Sequence, residues 1–312
     1  MIVGIYKGGI FIKKYSGEIG LLLVSLIWGS GFVATQLGLE NGLTPFQLMT
    51  GRFFIGAFLI SIIFFNKVKN INKSDIISGI MLGVFLFTAF SFQTFGLRYT
   101  TSSKSAFLTA ANVVMVPFVG CLLYRRKIDK IGIMSSLIAL IGIGIISLDS
   151  NFSISFGDSL TLICAVGFAM HIFFTSEFTK NHDPVVLTCI QMATAFLLSL
   201  LLQILVGEIN TPINKLTVSS VLFLGVFNTT LCFLGQTICQ TKVDGTKTAI
   251  LLSTEAIFGM IFSVVIANEV ITLRMIIGSI LIFTAIICAE TKLSFLFKEN
   301  KDLDLINLDK DL

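Results

Sequence analysis

Ten times along this chain, a run of about twenty residues passes with no more than one charge, and that recurrence limits the fold more than any other feature. The runs occupy residues 19–39, 45–65, 76–97, 105–124, 131–148, 159–176, 185–207, 216–241, 248–268 and 270–289. About 20 apolar residues in a helix cross the ~30 Å hydrocarbon core of a bilayer. The runs are continuous and lack the apolar–polar alternation of a membrane barrel strand. In lipid, only a helix or a closed barrel satisfies its own backbone hydrogen bonds. The expected fold is therefore an all-α membrane protein with ten transmembrane helices. A soluble fold fails for want of a polar skin: 54% of the 312 residues are hydrophobic and 13% charged, against about 25% charged in soluble domains. The same composition argues against a disordered chain and a nucleic-acid binder.

Connections between the runs are short, and the longest polar piece is the tail, whose end at 298–312 holds three lysines and five acids. Lys13 and Lys14 precede the first run as they would in a signal peptide, but the run is too long for one and is read as a retained helix. With the N-terminus inside, 17 of the 22 Lys and Arg fall on inner segments and four (Arg98, Lys104, Lys215, Arg274) on outer ones; Arg52 lies within a run. This is the positive-inside pattern. It places both termini in the cytoplasm of a multi-pass protein of the cell membrane.

The two halves of the chain repeat. Gly17-Glu18 matches Gly157-Asp158 at an offset of 140, and Pro45 and Arg52 match Pro184 and Gln191 at 139. Gln93-Thr94 matches Gln236-Thr237 at 143, and the six residues from Ser103 match the six from Thr246 at the same offset. Each half holds five spans. Five is odd, so the second half enters from the opposite side of the membrane, giving two inverted five-helix repeats. Residues 1–16 read as a cytoplasmic N-terminal segment, 17–150 as the first repeat, 151–290 as the second and 291–312 as a cytoplasmic polar tail.

From Trp28-Gly29-Ser30-Gly31-Phe32 onward the sequence resembles the drug/metabolite transporter superfamily, in its ten-helix EamA family. The likeness continues through Pro45 and Arg52, Gln93-Thr94, Leu97-Arg98-Tyr99-Thr100, Ala106-Phe107-Leu108, the stretch from Leu251 to Phe258, Asn268-Glu269 and the stretch from Gly278 to Ile282. It departs at Ala256, where the family often has Pro after Glu, and at Asn112 and Arg126, which stand opposite Glu255 and Glu269 in the repeat. The resemblance implies a secondary carrier of small organic solutes, with a central cavity lined mainly by helices one, three, four, six, eight and nine. Members export amino acids, other metabolites or drugs, and some import.

An ionisable side chain deep in a span costs at least ~2.5–3.5 kcal/mol on insertion scales, so it faces a cavity or a partner. Glu255 is the deepest acid, and Asn112 is its repeat counterpart. Gln93 and Gln236 are counterparts too, each with an amide that donates and accepts. His171 lies mid-span, where it hydrogen-bonds a solute or a neighbouring helix. Trp28, the single tryptophan, lies too deep for an interfacial belt, which leaves cavity lining or packing beside Gly29 and Gly31. These six form the expected solute site. Arg52, on the outer side of the second span, reads as a gating or structural residue that snorkels outward or pairs with an acid or carbonyl. Gly79, Gly83, Gly142, Gly144, Gly225 and Gly235 permit close helix approach.

All six cysteines (Cys121, Cys164, Cys189, Cys232, Cys239, Cys288) fall in spans without a Cys-x-x-Cys pair, so no disulfide, metal or cofactor site is expected. Gly245-Thr246-Lys247-Thr248 lacks the residue order of a phosphate loop. Transport would draw on a proton or solute counter-gradient, and no enzyme activity is expected. The expected partners are a small organic solute and the lipid bilayer, with no nucleic acid; a homodimer is admitted. An importer of the same fold and a non-transporting scaffold or sensor are the alternatives.

Overall fold

The computed structural model describes residues 15–125, 130–147, 154–210 and 212–291. The expected N-terminal segment, apart from its last two residues, lies outside them, as does the polar tail after Thr291. The chain forms ten transmembrane helices: α1 Ser16–Glu40, α2 Pro45–Ile63, α3 Lys73–Leu97, α4 Ser102–Tyr124, α5 Lys130–Ser147, α6 Phe156–Phe178, α7 Pro184–Leu205, α8 Lys215–Cys239, α9 Gly245–Ala267 and α10 Leu273–Thr291. Eight are long and apolar enough throughout to cross a membrane; α5 and α10 contain the shorter apolar helices Leu137–Ile146 and Leu273–Ala285. A separate turn, Phe65–Val68, follows α2 where the sequence suggested continuous helix.

Helix starts are written in capping residues, and the caps repeat between halves. Pro45 and Pro184 occupy the first turns of α2 and α7, where a missing N–H costs nothing. Their caps are Thr44, which accepts from Gln47 N, and Asp183, which accepts from Val185 N at 2.8 Å. Partial burial pushes the Asp183 carboxyl up, but Lys67 and the α7 amides outweigh it and hold the group below its ordinary value. Asn72 and Asn214 open α3 and α8 with capping boxes, and Thr101 and Asp244 cap α4 and α9. The last two caps let α4 and α9 start earlier than the uncharged runs, taking Lys104 and Lys247 into helix ends; α1 also starts early, at Ser16 ahead of Glu18, without a side-chain cap. The other ends repeat as well: α4 and α9 stop at Arg125 and Asn268, both left-handed at φ 53° and 52°.

Three helices are irregular. The α4 and α9 ladders loosen at Ala111 and Thr254, counterparts at offset 143, and each break is followed at once by a polar side chain, Asn112 or Glu255. Pro117 lies inside α4, but α9 breaks at the same level with Met260 in that place, so proline is not the shared cause. In α8, residues Leu224–Leu231 widen into a π-helical turn, a local register change common at functional sites.

Packing follows the repeat. The first helix of each half lies against helices three and four of the other: α1 on α8 and α9, α6 on α3 and α4. The pairs α2–α7 and α5–α10 lie on the pseudo-symmetry axis. Lipid supplies no hydrophobic drive between helices, so close contact through small residues must hold them. A Cβ at Gly83 would lie 2.5 Å from Thr194 Cβ, and one at Gly225 2.6 Å from Ile55 Cδ1. At the α5–α10 crossing the two backbones meet, with Cβ positions on Gly142 and Gly278 only 2.8 and 2.7 Å from each other's carbonyl oxygen. Outward, Leu23, Phe58, Ile62, Leu140, Leu201 and Ile280 are all exposed, as a lipid-facing surface requires. Gly278→Leu should part α5 from α10 at a cost of about 1–3 kcal/mol. A melting curve in detergent should fall by several degrees, and an unchanged curve would refute the backbone contact.

Candidate functional site

The chemistry-bearing side chains of seven helices converge on one cavity, whose empty space is about 600 Å³ with its open mouth included. The six residues of the expected solute site and Arg52 line it: Trp28 of α1, Arg52 of α2, Gln93 of α3, Asn112 of α4, His171 of α6, Gln236 of α8 and Glu255 of α9. The lining itself repeats. At offset 140 it pairs Trp28 with Phe168, Gly31 with His171 and Phe32 with Ile172. At offset 143 it pairs Phe90 with Phe233, Gln93 with Gln236, Thr109 with Leu252 and Asn112 with Glu255.

Aromatic rings form the apolar wall. Trp28 and Phe233 have ring centroids 4.9 Å apart, Phe90 and Phe168 5.2 Å, and His171 and Phe233 5.8 Å. Trp28 both lines the cavity and packs the crossing. Its indole N–H donates to the Asn228 carbonyl at 2.9 Å, and Asn228 Nδ2 donates to the Ile27 carbonyl at 3.0 Å. Gly31 makes this staple feasible, because a Cβ there would overlap Asn228 Oδ1. Gly29 meets α9, where a Cβ would sit 2.5 Å from Phe258 Cβ.

The polar groups are partly tied and partly free. Gln93 Nε2 donates to Thr109 Oγ1 at 3.1 Å, and Gln236 Nε2 donates to Gln240 Oε1 at 3.0 Å. His171 Nε2 donates to Gln191 Oε1 at 2.7 Å, which leaves Nδ1 as an acceptor. Asn112 Oδ1, His171 Nδ1, Gln191 Nε2 and Gln236 Oε1 are buried without a hydrogen-bond partner among the described residues. Each such atom costs roughly 1–3 kcal/mol until water or a ligand reaches it. Glu255, 7% exposed, has no hydrogen bond or ion pair among the described residues.

Arg52 departs from the outward-snorkelling expectation. Only 2% of it is exposed, its Nε donates to Thr229 Oγ1 at 2.9 Å, and its guanidinium lies 4.3 Å from the Phe90 ring centroid. Placed seven residues into α2, it is about 10 Å from the helix start, and the cavity is nearer than the membrane surface. Asn228, Thr229 and Thr109 escaped the sequence reading; the signal for the first two was a polar Asn-Thr-Thr run inside an apolar span. Among the described residues no group of three or more His, Cys, Asp and Glu could hold a metal ion.

At each end of the bundle an ion pair joins the halves. Glu18, at the start of α1, meets Lys247, at the start of α9, at 2.8 Å. Asp158, at the start of α6, meets Lys104, near the start of α4, at 3.5 Å and accepts from Thr100 Oγ1 at 2.6 Å. Glu18 and Asp158 are repeat counterparts, as are Lys247 and Lys104. The cavity is less symmetric than these ends. It reaches Thr35 and Leu97 but not their counterparts Thr175 and Gln240. Gln240 is instead locked, donating to the Ile172 carbonyl at 2.9 Å.

Comparison with known proteins agrees with this architecture. The EamA-like transporter family model matches residues 15–148 and again 155–291, once per repeat. An uncharacterized transporter of Archaeoglobus fulgidus is 31% identical over 281 residues, covering 90% of this chain and 88% of that protein. The uncharacterized transporter YetK of Bacillus subtilis is 26% identical, covering 84% and 83%. A solved crystal structure at 17% identity superposes with a TM-score of 0.70 over 91% of this chain and 99% of its own, which speaks to the fold alone. Two family matches laid over two inverted five-helix repeats establish that this chain is a multi-pass membrane transporter of the EamA-like family, within the drug/metabolite transporter superfamily.

Proposed function

We propose that this transporter moves a small organic solute bearing an ammonium group (an amino acid, an amine-like metabolite or a drug) out of the cell by alternating access. The observation that carries the reading is the repeat-related cavity lying between two repeat-related ion pairs. Helices related by an inverted repeat have two equivalent ways to pack, one open to each face. Glu18–Lys247 closes one end and Lys104–Asp158 the other, and each pair links different halves. Opening an end parts its pair. The asymmetry supports the same reading: the cavity extends toward the end with the longer 3.5 Å pair, and the end with the 2.8 Å pair is held by Gln240. With the cytoplasmic N-terminus expected from the charge pattern, the wider end faces outward. Export follows the resemblance to exporting members of the family.

In this mechanism Glu255 receives the ammonium group, since a carboxylate facing a cavity without a protein partner recovers its desolvation cost from a cation. Gln93, Asn112 and Gln236 supply donors and acceptors around it, His171 offers an acceptor, and the rings of Trp28 and Phe233 enclose the apolar part. A proton is the alternative cation at Glu255, coupling solute flow to its gradient.

Glu255→Gln should reduce flux of an ammonium-bearing solute in proteoliposomes at least tenfold, roughly the worth of one desolvated charge contact. Unchanged flux with an unchanged pH response would remove Glu255 from the mechanism. Lys247→Glu sets two acids against each other at one end. An exposed pair is worth about 0.2–1 kcal/mol, so its loss should shift the balance of access states only about 1.4- to fivefold, with flux changing accordingly. Adding Glu18→Lys should restore it, and failure of that rescue would count against a gating pair. Trp28, the single tryptophan, should be quenched by aqueous iodide and spared by brominated lipid; the reverse would place it outside the cavity.

A further inference from the structure

The cavity holds a second ionisable group whose role the transport reading leaves open. Arg52 lines it at 2% exposure. One of its five N–H donors is used, on Thr229 Oγ1, and the two flanking rings, Phe90 at 4.3 Å and Phe53 at 5.7 Å, bind its charge only through their faces. No acid pairs with it among the described residues, Glu255 included. A guanidinium with four free donors in a fork, desolvated and without a counter-ion, is built to meet a planar anion. A purely structural arginine would be tied to carbonyls or a carboxylate, and this one is tied by a single hydroxyl.

Sequence comparison of the halves points the same way. The counterpart of Arg52 is Gln191, a neutral side chain that bonds His171; the counterpart of Glu255 is the neutral Asn112. Each half therefore brings one charge to the cavity, of opposite sign, at positions that are not equivalent. Resting on the transport reading above, we propose that Arg52 is a specificity-determining residue that binds the carboxylate of the solute while Glu255 binds its ammonium. The transported class is then zwitterionic. A simple amine leaves Arg52 buried and unpaired, and a simple acid leaves Glu255 so.

Binding can be read from Trp28 fluorescence without any flux. Three probe series vary the side chain and the ends: alanine, ethylamine and propionate; leucine, isopentylamine and isocaproate; phenylalanine, phenethylamine and hydrocinnamate. In the unaltered protein at least one amino acid should bind at least about tenfold more tightly than both its amine and its acid. Arg52→Gln should abolish the advantage over the amine and keep the advantage over the acid. Glu255→Gln should do the opposite, and Arg52→Lys should recover part of the loss, since charge remains and the fork does not. Retained binding of the amine by Arg52→Gln, with an unchanged melting curve, shows that the variant folds. A preference for the zwitterion that survives Arg52→Gln, or none in any series, would overturn the proposal. Discrimination that depends on Arg52 without flux into proteoliposomes would support this site and remove transport instead.

Discussion

Hydrocarbon gives two apolar helices no reason to associate and gives a polar group nothing to bond. Both facts act on this chain at once. Backbones must touch, which explains why Gly142 and Gly278 meet carbonyl to Cα and why Gly83 and Gly225 seat Thr194 and Ile55. Ionisable groups must turn away from lipid, and a bundle packed tightly at its crossings leaves only its centre to receive them. The cavity is where the two demands meet: Arg52, His171 and Glu255 are tolerated there because seven helices wall them from lipid.

An inverted repeat gives such a centre two equivalent ways to be packed, which in the proposed mechanism open it to one side or the other. Counterpart contacts recur at both ends, from the caps Thr101 and Asp244 to the ion pairs of Glu18 and Asp158. Further polar contacts cross the bundle, as where Glu269 at the end of α9 accepts from Ser103 N at 3.1 Å and Ser103 Oγ at 2.9 Å at the start of α4. The Glu18–Lys247 pair is part-exposed, and such pairs are worth about 1 kcal/mol or less. Weak closures suit two packings of similar free energy, since a ligand can shift a balance only by its differential affinity for the two states.

Much of this was legible in the sequence because lipid makes composition decisive. Ten spans follow from charge-free length, and the repeat follows from polar landmarks such as Gln93 and Gln236, which stand out in an apolar background. The expected solute site came from the same logic: a polar residue mid-span has few places to go, and the six named residues and Arg52 do share one cavity. What escaped depends on register and tertiary approach. Nothing in the run from Leu224 to Leu231 announces a π-helical turn, so Asn228 and Thr229 were not seen to face α1 and Arg52. Arg52 looked near enough to the surface to snorkel. Its direction is set by which face of α2 meets α8, where a Cβ at Gly56 would lie 3.0 Å from Thr229 Cγ2, and a single sequence does not carry that information.

The places where the halves disagree are the most informative. Most of the lining is conserved in kind between counterparts: ring faces ring at Trp28 and Phe168 and at Phe90 and Phe233, and amide matches amide at Gln93 and Gln236. The exceptions include Thr109 against Leu252 and, among the charged or titratable positions, Gly31 against His171, Arg52 against Gln191 and Asn112 against Glu255. A cavity with strict two-fold symmetry would present two like charges or none, and two like charges in a desolvated site repel. A solute with distinct ends has no such symmetry, so a site that orients it must break its own. In the proposed mechanism, symmetry in the helices and the end pairs serves the motion, and its loss at the charged and titratable positions serves recognition. On the proposed reading, an acid from one half and a base from the other would give the site a fixed polarity without giving it a net charge.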